Sequence, residues 1–304
     1  MPPLPTPLAI ETDAISVRRG AARALEAVSL AVPQGAIFGL LGPAGAGKTT
    51  ALQVIAGRLR PSAGGGRVLG YDLLRERAAY LPRIGWVIER PIFHPLMTVR
   101  GNLRLRAYAG PAPRRARIDE ALRRVGLAEL QYRRVHTLTP GARMRMALAL
   151  ALLGGPELLL LDEPTLGLGP HEAEGLHELL RSLHAGGLTI LLASPSRQEL
   201  ERLCTHAAVL SAGHLLTQGP VSALRAGRQT LLVEAEPRPI VAVVLERMGL
   251  QLAPAGPDRF HVDAPPEVAP RLVSALVNAG AHVRQVRPLP AALAGGPPPA
   301  GTDG

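Results

Sequence analysis

The segment Gly42-Pro43-Ala44-Gly45-Ala46-Gly47-Lys48-Thr49-Thr50 restricts what this chain can fold into more than any other stretch. It matches the template G-x-x-x-x-G-K-[ST], in which a glycine-rich turn offers backbone N–H groups and a helix N-terminus to phosphate. Its flanks fit. Ala36 to Leu41 (AIFGLL) is an apolar run leading into the loop, and the residues from Thr49 read as a helix closed by Gly57. Lys48 sharpens the reading: of thirty-four basic residues it is the only lysine, and Arg supplies the rest. A compact ammonium on a flexible stem reaches between two phosphate groups, where a planar guanidinium is too bulky and rigid. Chance survival of one lysine at this position is the weaker account.

Further buried strands follow. Leu158-Leu159-Leu160-Leu161 ends in Asp162-Glu163-Pro164, and Leu188 to Ala193 ends at Ser194-Pro195. Residues 8–17 and 26–32 read as short strands, and 95–135 as an Arg- and Leu-rich helical region. Apolar strands alternating with helices predict an α/β fold with a largely parallel sheet. Past about residue 228 the pattern changes. Strand-like 230–234, helix-like 238–248, short strands near 250–253 and 258–263, helix-like 267–279 and strand-like 281–287 give a β-α-β-β-α-β order. That order predicts a small ferredoxin-like α+β domain over 228–288. A Pro-rich tail is expected over 1–7 and a disordered Pro/Gly-rich tail over 289–304.

Composition excludes some classes of protein. One cysteine, Cys204, allows no internal disulfide and reads as a small buried hydrophobe. No apolar stretch reaches membrane-spanning length, since the run from Met146 to Leu161 is broken by Gly154-Gly155-Pro156-Glu157. Met1-Pro2-Pro3-Leu4-Pro5 lacks a charged start followed by an apolar run, so no secretory leader is expected. The expected location is the cytoplasm. A formal charge of +10 is compatible with nucleic acid, an anionic membrane face or nucleotide, but scattered arginines fit a solvated surface better.

Two acids at the end of a buried strand are the natural complement of a phosphate loop. Lys48 is expected to neutralise the β- and γ-phosphates, with the Thr49 hydroxyl and Asp162 holding Mg²⁺. Glu163 is placed to accept a proton from an attacking water. An exposed turn before Pro164 is the plainer reading, and four leucines delivering two acids make it the weaker one.

Taken in order, Gly42–Thr50, Ile84-Gly85-Trp86-Val87-Ile88-Glu89, Leu138-Thr139-Pro140-Gly141-Ala142 and Leu158–Pro170 resemble the ATP-binding subunit of an ABC transporter. The resemblance covers about residues 8–225 and implies a P-loop NTPase core with a helical subdomain near 95–150. Ile84–Leu103 is further similar to the bacitracin- and lantibiotic-resistance exporters, a branch that often carries Glu where most relatives have Gln. The C-terminal segment is similar to the regulatory tail domain of drug-exporter ATPases. The resemblance implies ATP and Mg²⁺ as cofactors, Glu89 as a further Mg²⁺ ligand, and Thr139, Pro140 and Gly141 as the signature loop. In the family that loop lies on the γ-phosphate bound by the opposite subunit. It also implies a separately encoded transmembrane permease, a second ATP-binding subunit (identical or not), and a peripheral place on the inner membrane face.

The departures are informative. The signature reads LTPGA in place of LSGGQ, so Pro140 removes one N–H and Ala142 removes the Gln amide. Ser194-Pro195 stands where the family reads Ser-His, and Gly169 replaces the aspartate of the Leu-Asp-Pro turn. His206 and His214 read as surface residues in helix and hairpin contexts. Arg19 aligns with the adenine-stacking aromatic, and a guanidinium can stack on a base. Two functions follow: an exporter ATPase, or a hydrolysis-poor regulatory subunit that binds ATP and dimerises. A soluble ATPase acting on nucleic acid is a third class. One nucleotide site in place of two and no coiled-coil insertion count against it, so no specific nucleic acid is expected.

Overall fold

The protein is described from a computed structural model covering residues 7–20, 22–87, 93–107, 114–222, 229–250, 252–256, 258–264 and 268–288. The chain divides into two compact units, Met1–Val221 and Ser222–Gly304. The expected tails over 1–7 and 289–304 lie outside the described residues, apart from Pro7.

The first unit opens with an antiparallel sheet. Strands β1 (Leu8–Arg19), β2 (Ala22–Val28), β3 (Ala31–Pro33), β5 (Ala63–Val68) and β6 (Tyr71–Asp72) pair in the order β2-β1-β5-β6, with β3 also on β1. Its second sheet carries the site. Strands β4 (Ile37–Leu41), β7 (Ile84–Val87), β8 (Leu158–Asp162), β9 (Thr189–Ser194), β10 (His206–Ser211) and β11 (His214–Pro220) run in the order β11-β10-β4-β9-β8-β7. All pairs from β10 to β7 are parallel; only β11 is antiparallel. Central strands buried on both faces must be apolar throughout, which is why Leu158–Leu161 and Ile190–Ala193 are fully buried.

Helix α1 (Lys48–Ile55) follows the glycine-rich loop, and α2 (Arg77–Tyr80) precedes β7. One core joins α1, through Leu52, Val54 and Ile55, to Ile10, Ile15 and Leu25 of the antiparallel sheet. It continues into Phe38, Leu40, Leu158 and Leu191 of the parallel one. At about 25 cal/mol per Å² of apolar surface, each such Leu or Ile stabilises the unit by roughly 2 kcal/mol.

The helical region holds α3 (Val99–Arg106), α4 (Arg114–Arg124) and α5 (Pro140–Leu152). Helix α5 begins two residues earlier than the apolar periodicity from Ala142 indicates. Thr139 caps it, accepting from the Ala142 amide, and Pro140 occupies the first helical position, where no N–H is needed. Helices α6 (Pro170–Ala185) and α7 (Arg197–Leu203) flank β9. Cys204 is buried, and burial pushes its thiol well above the usual range, as expected of a packing residue. Among the described residues, no helix is long and apolar enough to cross a membrane.

The second unit contains β12 (Gln229–Glu236), α8 (Arg238–Arg247), β13 (Leu252–Pro254), β14 (Arg259–Ala264), α9 (Val268–Asn278) and β15 (His282–Pro288). Its four strands pair antiparallel in the order β13-β14-β12-β15. Leu231, Val233, Phe260 and Val262 form one face and pack with Val241, Leu245, Leu272 and Leu276 of the helices in a separate core.

Candidate functional site

Lys48, Asp162 and Glu163 lie at the carboxyl end of the parallel strands, where ligands of open α/β sheets bind. Leu41 ends β4 and leads into Gly42. Asp162 ends β8 one strand beyond β9, and Ser194 ends β9.

The loop's glycines have separate reasons. At Gly47, φ is +102°, and a side chain there would meet the Ala24 carbonyl and Leu25. At Gly42 an added Cβ would lie 2.3 Å from the Leu210 carbonyl oxygen, so the loop passes against β10 with no room for a side chain. Pro43, Ala44 and Gly45 are exposed at the turn, Ala46 is buried, and Thr50 is buried in α1. No side chain caps α1, so its first-turn N–H groups face the loop without a side-chain acceptor.

Lys48 is only 4% exposed. Its Nζ donates to the carbonyl oxygens of Gly42 (2.8 Å) and Pro43 (3.0 Å) and lies 3.8 Å from Glu163 Oε1. A buried ammonium needs such partners. Thr49 Oγ1 donates to Asp162 Oδ2 at 2.7 Å. The other carboxylate oxygen, Asp162 Oδ1, is buried with no hydrogen-bond partner among the described residues. Burial raises the pKa of Asp162, as does the neighbouring Glu163, while the Thr49 hydroxyl and Lys48 oppose the rise. A hydroxyl beside a carboxylate whose second oxygen is unsatisfied among the described residues supplies the hard oxygen ligands that Mg²⁺ takes.

Glu163 has φ +45°, uncommon for a residue with a side chain. Its amide donates to the Ala193 carbonyl at 3.0 Å, which ties the strained backbone to β9. The carboxylate is thereby set beside Lys48.

Arg19, at the end of β1, donates from Nη2 to Gln53 Oε1 of α1 at 2.5 Å, which fixes it near the helix that follows the loop. Glu89 lies outside the described residues. His206 corrects the helical expectation: it begins β10 and stacks on Phe38, because the helix ends at Leu203 and Cys204 is already extended. His214 begins the hairpin strand β11, as read.

Sequence reasoning missed two acidic partners. Glu172, in the first turn of α6, accepts from the Gly141 amide at 3.1 Å. The Thr139 hydroxyl, the Gly141 amide and the Gly169 amide hold its pKa below the usual carboxylate range, against slight burial. The only sequence signal was an acid three residues after Gly169, a place where a carboxylate reaches back to a helix start. Glu199 of α7 is buried and accepts from Ser194 Oγ at 2.5 Å. Its other oxygen lies 3.1 Å from His177 Nε2 of α6. Burial alone would raise its pKa, but hydrogen bonds from His177, Ser194 and Thr165 outweigh burial and lower it. Glu199 thus ties together the segments after β8 and β9.

Residues 25–166 match the family model described as ABC transporter. The chain is 38% identical over 221 residues to the daunorubicin resistance ATP-binding protein DrrA3 of Streptomyces coeruleorubidus, covering 72% of this chain and 70% of that protein. It is 34% identical over 217 residues to the bacitracin transport ATP-binding protein BcrA of Bacillus licheniformis, with 71% of each covered. Among solved structures, an ATP-binding subunit of an ABC transporter superposes with a TM-score of 0.63 at 28% identity, over 72% of this chain and 92% of that one.

Proposed function

Because this chain belongs to the ATP-binding subunits of ABC transporters, we propose that it hydrolyses ATP to drive export through a separately encoded membrane permease. The observation that carries the reading is the convergence of Lys48, Thr49, Asp162 and Glu163, with Thr49 on Asp162 at 2.7 Å and Lys48 3.8 Å from Glu163. The backbone N–H groups of Ala44–Gly47 and the α1 N-terminus would cradle the β- and γ-phosphates. Lys48 would exchange the Gly42 and Pro43 carbonyls for phosphate oxygens, a move within the reach of its stem. Thr49 and Asp162 would hold Mg²⁺, which supplies charge neutralisation between the phosphates when bound. Glu163 would accept the proton of the water whose oxygen bonds to the γ-phosphorus as the bond to the ADP oxygen breaks.

Arg19, fixed by Gln53, is suited to lie against the adenine face. Thr139 and Gly141 would meet the γ-phosphate held by a second ATP-binding subunit. The complex would sit on the cytoplasmic face of the membrane. The strand order of the second unit supports reading it as a ferredoxin-like regulatory domain. Similarity to resistance and transport proteins supports the exporter reading, and the constrained backbone of Glu163 speaks against a hydrolysis-poor subunit.

The test is phosphate release by the purified protein, with Glu163→Gln and Lys48→Ala as controls. Turnover well above both supports the proposal. ATP binding with turnover no higher than in Glu163→Gln overturns autonomous hydrolysis.

A further inference from the structure

We propose that Glu172 is a built-in competitor for the anion seat of the signature loop, which a nucleotide phosphate carried by a second copy of this chain must displace. The inference rests on the nucleotide-linked dimer proposed above. Glu172 Oε1 accepts the Gly141 amide at 3.1 Å, and the carboxylate lies near the Thr139 hydroxyl, which helps to hold its pKa low. The fit is close: a Cβ on Gly141 would lie 2.8 Å from that oxygen. The backbone donor that the loop would present to a phosphate is therefore engaged by a side chain of its own chain.

The placement has a physical cause. Gly169 caps α6 without a side-chain hydrogen bond, and Glu172 is the third residue of the helix, a place where a carboxylate suits the helix start. It also reaches across to the second residue of α5. It stands between two helix N-termini, each of which favours negative charge. A seat that suits a carboxylate for this reason suits a phosphate as well, and the two cannot share it. Glu172 is only half-buried, so its carboxylate can rotate into solvent while α6 stays formed. Exchange of one anion for the other then sets how much ATP two copies need to close on each other.

A Glu172 that only caps helices predicts the opposite sign from a competitor, so the experiment can decide. ATP-driven dimerisation is followed by light scattering in a Glu163→Gln background, alone and with Glu172→Gln or Glu172→Ala. Fluorescent ADP binding to each monomer is the control. The expected result is a fall of about fivefold or more in half-saturating ATP for Glu172→Ala, with Glu172→Gln between, and unchanged ADP binding. Glu172→Gln keeps the side chain's size and one acceptor, so it answers the question if Glu172→Ala folds poorly. Unchanged or higher ATP requirement overturns the inference, as does failure of every variant to dimerise while ADP still binds. Failure of the parent to bind ADP overturns the nucleotide-site reading itself, and this inference with it.

Discussion

The phosphate loop and the signature loop are both helix starts, and they treat their polar groups in opposite ways. At α1 the cap residue Gly47 makes no side-chain hydrogen bond, Lys48 rests on the carbonyls of its own turn, and Asp162 keeps one buried oxygen without a partner among the described residues. At α5 Thr139 caps the helix and Glu172 takes the Gly141 amide. The same contrast holds at the end of β9, where Ser194 donates to Glu199, whose other oxygen faces His177. The lesson concerns sequence departures. Where the residues match the family, the structure leaves donors and acceptors for a ligand. Where they depart from it, carboxylates of α6 and α7 take the Gly141 amide and the Ser194 hydroxyl.

The largest expected effect would come from breaking the first region. Lys48→Ala removes the single ammonium in the cradle and should reduce phosphate release at least 100-fold, the ~3 kcal/mol typical of one preorganised electrostatic contact. Nucleotide titration should show weakened binding as well. Retained tight binding would mean that Lys48 serves only to brace the loop through Gly42 and Pro43. Glu163→Gln should separate the steps in this region. It keeps shape and removes the proton acceptor, so turnover should fall roughly 10² to 10⁴-fold while ATP affinity holds. A parallel fall in affinity would assign Glu163 to binding through Lys48.

The closed-off region is tested by stability. Glu199→Ala leaves the Ser194 hydroxyl and His177 Nε2 buried without their acceptor, at a cost of about 2 kcal/mol, or a Tm drop of ~5 °C. The pH dependence follows from the direction of the shift. Glu199 has a folded pKa below its unfolded value. Its contribution is complete above the ordinary carboxylate range and is lost as pH falls through the folded pKa. Urea unfolding from neutral to acid pH should therefore show a steeper decline for the wild type than for Glu199→Ala.

Much of the first region is legible in the sequence because its signals are local. The apolar run into Gly42, the lone Lys48, and four leucines delivering Asp162 and Glu163 each declare themselves within a few residues. So does the alternation that reveals the β-α-β-β-α-β order after residue 228. The second region depends on side chains meeting across long separations. Glu172 meets Gly141 from thirty-one residues away and Glu199 meets His177 from twenty-two, and no spacing rule reports either. Strand β5, AGGGRV, is hidden for another reason: a glycine run carries no apolar alternation. The left-handed backbone of Glu163 is likewise set by its bond to Ala193 on β9 and not by its own sequence.

The smallest effect belongs to Pro140, and it separates two explanations of the altered signature loop. On sequence alone, the missing N–H of Pro140 is a lost donor. In the structure Pro140 is the first residue of α5, where an N–H has no intrahelical partner and the fixed φ suits the helix start. Pro140→Gly restores the N–H and loosens the unfolded chain, so it should destabilise by only about 1 kcal/mol. It leaves Glu172 on the Gly141 amide, so turnover should change less than about twofold, a shift of ~0.4 kcal/mol in barrier. A clear rise in phosphate release by Pro140→Gly, with Tm slightly lowered, would make the absent donor the limiting feature. The contrast between the two loops would then be one of missing groups and not of groups already engaged. An unchanged rate leaves the carboxylate of Glu172 as what distinguishes α5 from α1.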